Sequence, residues 1–415
     1  MTSETKKVTI WTRGFILITL CNVFANLAMF SVNTYLTTYM TYLGVGASLA
    51  GLIAGLYYAV GLAMRPVAGP MQTTLNKKKL MTATYALGFI VNTCYGLFPS
   101  VGLFVAFRLL HGIQLAFYGS LSFTIASASL PNEKMSSGIG IFGLSGIVSQ
   151  ALGPSLSVSA MNFGTTHWGE GGGFRAIFLM SAFFSLMSVL PCLFLPEIDA
   201  PGAGQTKASV EKESAAWYKN IIAPQALMPS FVVGMFMLSG MLLTTYIIPY
   251  GACKGIENIG LYFTVNAFLM VISRPLAGRL TDKYGPGITV YPGMALYMTA
   301  FLLMSFATDI RFVVAAAACA SIGGGIVSPA AQSMTMQAVP SARRAVASNT
   351  LYTVMDIGNF LGPTLGGIIL SRSSYETMFR CALIPQALAL VVFALGWRAY
   401  QRNRAAALAA DRAAQ

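Results

Sequence analysis

The chain has 415 residues, 55% hydrophobic and only 9% charged, against about 25% charged in an ordinary soluble domain. So few charges cannot solvate a surface of this size, and the mean hydropathy of +0.66 excludes a soluble globular protein. The net charge of +13 would suit nucleic acid, but its distribution along the chain accounts for it otherwise.

Apolar blocks of about 20 residues, the length that crosses a bilayer core as a helix, recur twelve times. The first, 14–42, follows Arg13 and is not succeeded by a small-residue cleavage site, so it reads as a retained helix. Spans 2 to 6 follow at 47–71, 79–98, 101–130, 136–161 and 174–195. The polar interval 196–224, rich in Pro, Gly and charge, reads as a linker between halves. Spans 7 to 12 follow at 226–250, 257–279, 287–307, 311–337, 344–370 and 375–399. The expected domains are a six-helix bundle over 1–195, the linker, a second bundle over 225–400 and a tail over 401–415.

The halves repeat. RPVAGPMQT at 65 returns as RPLAGRLTD at 274; Gly153-Pro154 returns as Gly362-Pro363; Pro131 returns as Pro340. Each pair is 209 residues apart (65 to 274, 153 to 362, 131 to 340). Two parallel six-helix copies predict an all-α integral membrane fold of twelve transmembrane helices in two pseudo-symmetric bundles, with a substrate path between them. With the amino terminus inside, cytoplasmic segments hold Lys6, Lys7, Arg13, Lys77, Lys78, Lys79, Lys134, Lys207, Lys212, Lys219, Arg279, Lys283, Arg343 and Arg344, and the tail adds four arginines. The other side has only Arg175, Lys254, Arg311, Arg372 and Arg380. This bias places both termini in the cytoplasm and makes a nucleic-acid partner unnecessary. Six scattered cysteines read as small hydrophobes, and two histidines without a ligand cluster predict no metal.

These features resemble the major facilitator superfamily over essentially the whole chain. That family carries a G-x-x-x-D-R/K-x-G-R/K loop between spans 2 and 3 and a weaker copy between spans 8 and 9. Here the order is inverted. GRLTDKYG keeps Gly278, Asp282, Lys283 and Gly285, whereas GPMQTTLNKKK keeps Gly69 but has Thr73 and Asn76 at the Asp and Gly positions. The RP-x-x-G lead-in, with Arg65 and Arg274, is similar to the bacterial efflux branch. RLLHG, with Arg108, His111 and Gly112, approximates the family's span 4 pattern. The antiporter motif G-P-x-x-G-G is complete in span 11 as GPTLGG and partial in span 5 as GPSLSV. The resemblance implies a proton-coupled transporter whose cavity is lined mainly by spans 1, 4, 7 and 10.

Charges inside a membrane are costly and usually functional. Asp356, Arg108 and His111 are therefore the candidates for proton coupling. Asn22, Asn26 and Asn33 align on span 1; Asn349, Tyr352, Asp356 and Asn359 fall within about a quarter-turn on span 11. With Tyr118 and Tyr246 these are candidate cavity residues; the competing reading is hydrogen bonding between helices. Gly153-Pro154 and Gly362-Pro363 are expected to bend their helices, and the glycines to seal span 11 against span 8. Arg65, Gly69, Thr73, Arg274, Gly278, Asp282, Lys283, Arg343 and Arg344 are candidate gating residues. Asp282 is expected at the start of span 5, where free N–H groups favour a carboxylate. Its counterpart Thr73 lacks charge, so closure at the start of span 11 is expected to be weaker and Lys77–Lys79 to face anionic lipid.

No nucleotide loop, catalytic triad or soluble domain supports an enzyme or sensor, and no cofactor is expected. Efflux of a small organic molecule driven by proton entry is the leading expectation, because few deep charges are present to fix a polar ligand; proton-coupled uptake of a metabolite or organic acid is the alternative. Expected partners are the substrate, protons and lipid, with a monomer in the cytoplasmic membrane.

Overall fold

The computed structural model describes residues 9–196 and 220–413. Most of the expected linker, and Lys6, Lys7, Lys207, Lys212 and Lys219, lie outside the described residues. The described residues form eleven helices long and apolar enough to cross a membrane. They are Arg13–Tyr42, Ala47–Thr74, Lys77–Leu97, Val101–Ala128, Met135–Leu193, Leu227–Lys254, Leu261–Tyr284, Pro286–Ser305, Ile310–Gln337, Arg344–Leu370, and the pair Tyr375–Cys381 and Leu383–Ala413. Met135–Leu193 has 59 residues. At 1.5 Å per residue it is about 88 Å of helix, near three hydrocarbon thicknesses. It is divided at Gly169, whose φ of 74° and ψ of −178° only glycine adopts readily. Spans 5 and 6 are its two parts, so eleven helices supply twelve spans.

Turns between spans are short because caps are local. Asn76 Oδ1 accepts from the Lys79 N–H at 3.0 Å, which ends the 2–3 loop after two residues. At the 8–9 loop, Gly285 turns with φ of 82°, and its N–H donates to Thr281 O at 2.8 Å. Asp309 accepts from the Arg311 N–H at 2.7 Å and starts span 10. Prolines 66, 154, 275, 329 and 363 lie inside helices, which membranes tolerate when neighbours satisfy the freed carbonyls.

Contacts divide the chain into two compact units. One holds Trp11–Ser129 and Ser145–Ile221; the other joins Leu130–Leu144 to the chain from Ile222 onward. In the first, spans 1 and 5 meet along small residues. Ser149 Oγ donates to Val23 O at 2.9 Å, and Ser157 Oγ to Ser31 O at 3.1 Å. A Cβ at Gly153 would lie 2.7 Å from Phe30 Cβ. In the second, span 11 packs on span 7. Cβ atoms at Gly358 and Gly362 would clash with Gly234 O and Leu238 O. The expectation that these glycines seal span 11 against span 8 is therefore corrected: the partner is span 7, the repeat mate of span 1. Close approach replaces side-chain burial here because lipid is as apolar as Leu and offers no hydrophobic gain.

Gly358→Leu should overpack this seam and lower the melting temperature of detergent-purified protein, a cost of about 1–3 kcal/mol. Gly55 has nothing within 4 Å of a built Cβ. Gly55→Ala should therefore be neutral or stabilise the fold by about 0.4–1 kcal/mol, leaving the melting temperature unchanged or raised.

Candidate functional site

In the first unit, Arg108 is 1% exposed. Its Nη2 donates to Asn33 Oδ1 at 3.2 Å and to Ala54 O at 3.0 Å. The guanidinium lies 4.7 Å from the centre of the Tyr57 ring. Its Nε and Nη1 make no hydrogen bond. Glu170, beside the Gly169 break, is the sole acid among this unit's described residues, so no carboxylate in these spans neutralises Arg108. A buried cation left in this way is expensive. His111, one turn along span 4, is buried; its Nδ1 is 3.3 Å from the Tyr95 hydroxyl and its ring 4.8 Å from that of Tyr57.

Tyr57 and His111 also border a cavity of about 10 Å³, with Tyr85, Asn92, Gln114 and Tyr118 among its other walls. That volume is room for about one water. Asn92 Nδ2 donates to Ser185 Oγ at 2.8 Å, tying span 3 to span 6. Sequence reasoning missed Asn92 and Gln114. The available signal was an amide inside an apolar block, the same signal that marked span 1. The span 1 amides themselves are split between tasks. Asn33 holds Arg108, Asn22 Nδ2 donates to Ser145 Oγ at 2.5 Å, and Asn26 Nδ2 donates to Asn22 O at 2.7 Å.

In the second unit, Asn349 is buried, and Tyr352, Asp356 and Asn359 are half-buried on span 11. Tyr246 does not stand free on span 7: its hydroxyl donates to Pro363 O at 2.7 Å. The bond ties span 7 to span 11 beside its proline.

The repeated RP-x-x-G phrase takes two forms. Arg65, 1% exposed, turns into its own unit, where Nη1 donates to Ala116 O at 2.7 Å and Ser120 Oγ at 3.3 Å. Gly69 is buried, and the Thr73 hydroxyl is spent on Pro70 O at 2.7 Å. Lys77 is buried at the head of span 3, which corrects the expectation that all three lysines face lipid. In the second copy, Asp282 Oδ1 accepts from the Ser136 N–H at 2.9 Å and Oδ2 from the Ser137 N–H at 3.0 Å. A carboxylate on two N–H groups at a helix start gains both charge-assisted bonds and the helix dipole. Gly278 makes this possible: its Cβ would lie 2.7 Å from Ser137 Cα. Arg274 lies along the same segment, and a Cβ at Gly140 would be 2.9 Å from its carbonyl oxygen. Ser136 Oγ is 2.7 Å from Ser333 Oγ. Lys283 lies over the Tyr284 ring, 5.0 Å from its centre. Arg344 Nη2 donates to Asn132 Oδ1 at 2.7 Å, while Arg343 is half-buried at the cap of span 11.

The family model described as Major Facilitator Superfamily matches residues 18–257 and 255–413. The multidrug resistance protein MdtG of Escherichia fergusonii is 25% identical, over 97% of this chain and 98% of that protein. The staphylopine export protein of Staphylococcus aureus is 22% identical, over 85% and 89%. Among solved structures, a bacterial homologue of the iron transporter ferroportin in its outward-facing state aligns with a TM-score of 0.75, at 12% identity over 94% of this chain and all of that one. The transporter FucP aligns with a TM-score of 0.71 at 14% identity over 94% of this chain and 98% of its own. At such identities the solved structures bear on the fold alone.

The Asp282 contact yields a direct check. Asp282→Ala should speed hydrogen exchange at the Ser136 and Ser137 amides by roughly two- to thirtyfold, the range that a carboxylate at a helix start commands. Gly278→Ala should do the same without removing the charge, by pushing the two backbones apart.

Proposed function

The chain belongs to the Major Facilitator Superfamily and is a multi-pass membrane transporter; from that premise we propose that it exports a small organic molecule in exchange for protons by alternating access. The observation that carries the proton half is Asp356: among the described residues it is the sole carboxylate in the middle of a span. A carboxyl group there is stable neutral in an apolar setting and charged near a cation or water. A change of surroundings during the cycle would therefore load and release one proton. Arg108, with donors left over and no carboxylate in its own spans, is the cation suited to bias that step. His111, one turn away, is the second titratable group.

The names of the curated relatives, a multidrug resistance protein and an export protein, support the outward direction. The tyrosines and amides around the cavity of the first unit suit an amphiphilic substrate, because aromatic rings offer apolar faces and amides adaptable hydrogen bonds. The excess of Lys and Arg on the segments that include loops 2–3 and 8–9 supports a cytoplasmic position for these loops and both termini. In that orientation Asp282 on the Ser136 and Ser137 amides is a cytoplasmic latch. The bend residues Gly153, Pro154, Gly362 and Pro363 supply the flexure between states.

The test is transport by the purified protein in vesicles across an imposed pH gradient. Asp356→Asn should abolish gradient-driven movement while leaving substrate exchange and the melting temperature intact. Normal gradient-driven transport by that variant would refute the coupling role. Arg108→Lys, which keeps the charge but loses the rigid guanidinium whose Nη2 serves both Asn33 and Ala54, should slow transport. Accumulation inside cells, rather than depletion, would point to uptake.

A further inference from the structure

The starts of spans 5 and 11 are built alike and share one deficiency. Each begins with a proline cap, Pro131 or Pro340, followed by a three-residue 3-10 turn, and neither proline provides a side-chain cap. The first free N–H groups of each helix are therefore open to an acceptor from elsewhere. At span 5 it is Asp282, 146 residues away from Ser136. The repeat mate of Asp282 is Thr73, whose hydroxyl is bonded to Pro70 O.

The carboxylate at span 11 comes instead from the far end of the chain. Asp411 Oδ1 accepts from both the Ser341 N–H and the Ser341 hydroxyl, each at 2.9 Å. The last helix, Leu383–Ala413, has 31 residues. It is about 46 Å long and outruns a hydrocarbon core of about 30 Å. One face of its extension is packed, with Tyr400 and Ala407 2% and 4% exposed, while most of the residues after Tyr400 are exposed. Asp411 and Arg404 border a cavity of about 10 Å³ with Arg344 and Asn132. Arg344 in turn donates to Asn132 Oδ1. The tail thus touches the start of span 11 directly and, through Arg344, the start of span 5 in the same compact unit. The register is not a copy: Asp282 binds the amides of Ser136 and Ser137, whereas Asp411 binds that of Ser341, the repeat mate of Asn132.

We propose that Asp411 is a second gating carboxylate, a positioning residue that holds the start of span 11 in the cytoplasm-closed state in place of the charge absent from position 73. The proposal rests on the alternating-access reading above. The Asp411–Ser341 bond lies within the second repeat, so its bearing on closure runs through the Arg344–Asn132 bond, which joins the starts of spans 11 and 5.

The test uses the full-length protein in lipid nanodiscs. Spin labels at Leu75→Cys and Tyr284→Cys, both exposed positions in the two loops, report the separation of the loops in a Cys253→Ser background that lacks the exposed thiol. Asp411→Asn should raise the ratio of separated to approached loops by about two- to fivefold, the range for one carboxylate at a helix start. Asp282→Asn should shift it in the same direction, and the double variant by about the product. Asp411→Glu, and Thr73→Asp added to Asp411→Asn, should each bring the ratio back towards the parent value. An unchanged ratio in Asp411→Asn while Asp282→Asn shifts it overturns the proposal and leaves the alternating-access reading standing. So does a lowered melting temperature with an unchanged ratio, which would make Asp411 merely structural. If neither variant moves the ratio, both the proposal and the latch reading on which it rests fail together.

Discussion

No backbone N–H or C=O can be left unpaired in hydrocarbon, and that constraint governs this molecule more than any side chain does. It forces the described spans into helices and makes their ends the places where chemistry is needed. It also explains the seams. Once backbones satisfy themselves internally, apolar faces gain nothing by leaving lipid, so association relies on closeness. Gly358 against the Gly234 carbonyl, and the serine contacts between spans 1 and 5, are the result. Beside the proline of span 11, the Tyr246 hydroxyl gives the Pro363 carbonyl an extra donor from span 7.

The same constraint sets the cost of polarity in the interior. Arg108 uses Nη2 on Asn33 and Ala54 and rests on an aromatic face. That offsets part of its desolvation and leaves donors for another partner. The polar groups around it, Tyr95, His111 and Asn92, engage mostly neutral neighbours. The first unit is thus a cationic centre in a neutral amide and phenol lining, and the mid-span carboxylate sits in the other unit.

Much of the fold was legible because the helical signal is block length and the bundle signal is the 209-residue repeat, both long-range averages. The break at Gly169 was legible only as a gap between blocks 5 and 6; one glycine geometry divides a continuous helix there. The partner of the span 11 glycines was misjudged because a small-residue stripe tells that a helix packs closely, not on what. The repeat held the answer, since span 5 on span 1 maps to span 11 on span 7. Asn22 and Asn26 were legible as polar, but an amide that bonds a serine on the next helix looks in sequence like one that faces a cavity. Asp411 was invisible for another reason. It is one acid in an alanine-rich tail with no repeat mate, and only the path of the last helix brings it to Ser341.

The two loops that carry the repeated phrase turn by unlike means. Asn76 caps the next helix with its side chain at an ordinary φ of −61°, whereas Gly285 takes a φ of 82° that a side chain resists. Arg65 anchors within its own unit, while Arg274 runs beside the start of span 5. Tolerance to substitution is therefore not transferable across the pseudo-twofold. Ser, Asp or Thr at 76 preserves the cap, but any of them at 285 strains the backbone. A mutational scan of this chain that averaged its two halves by their alignment would blur two different sets of constraints into one false profile.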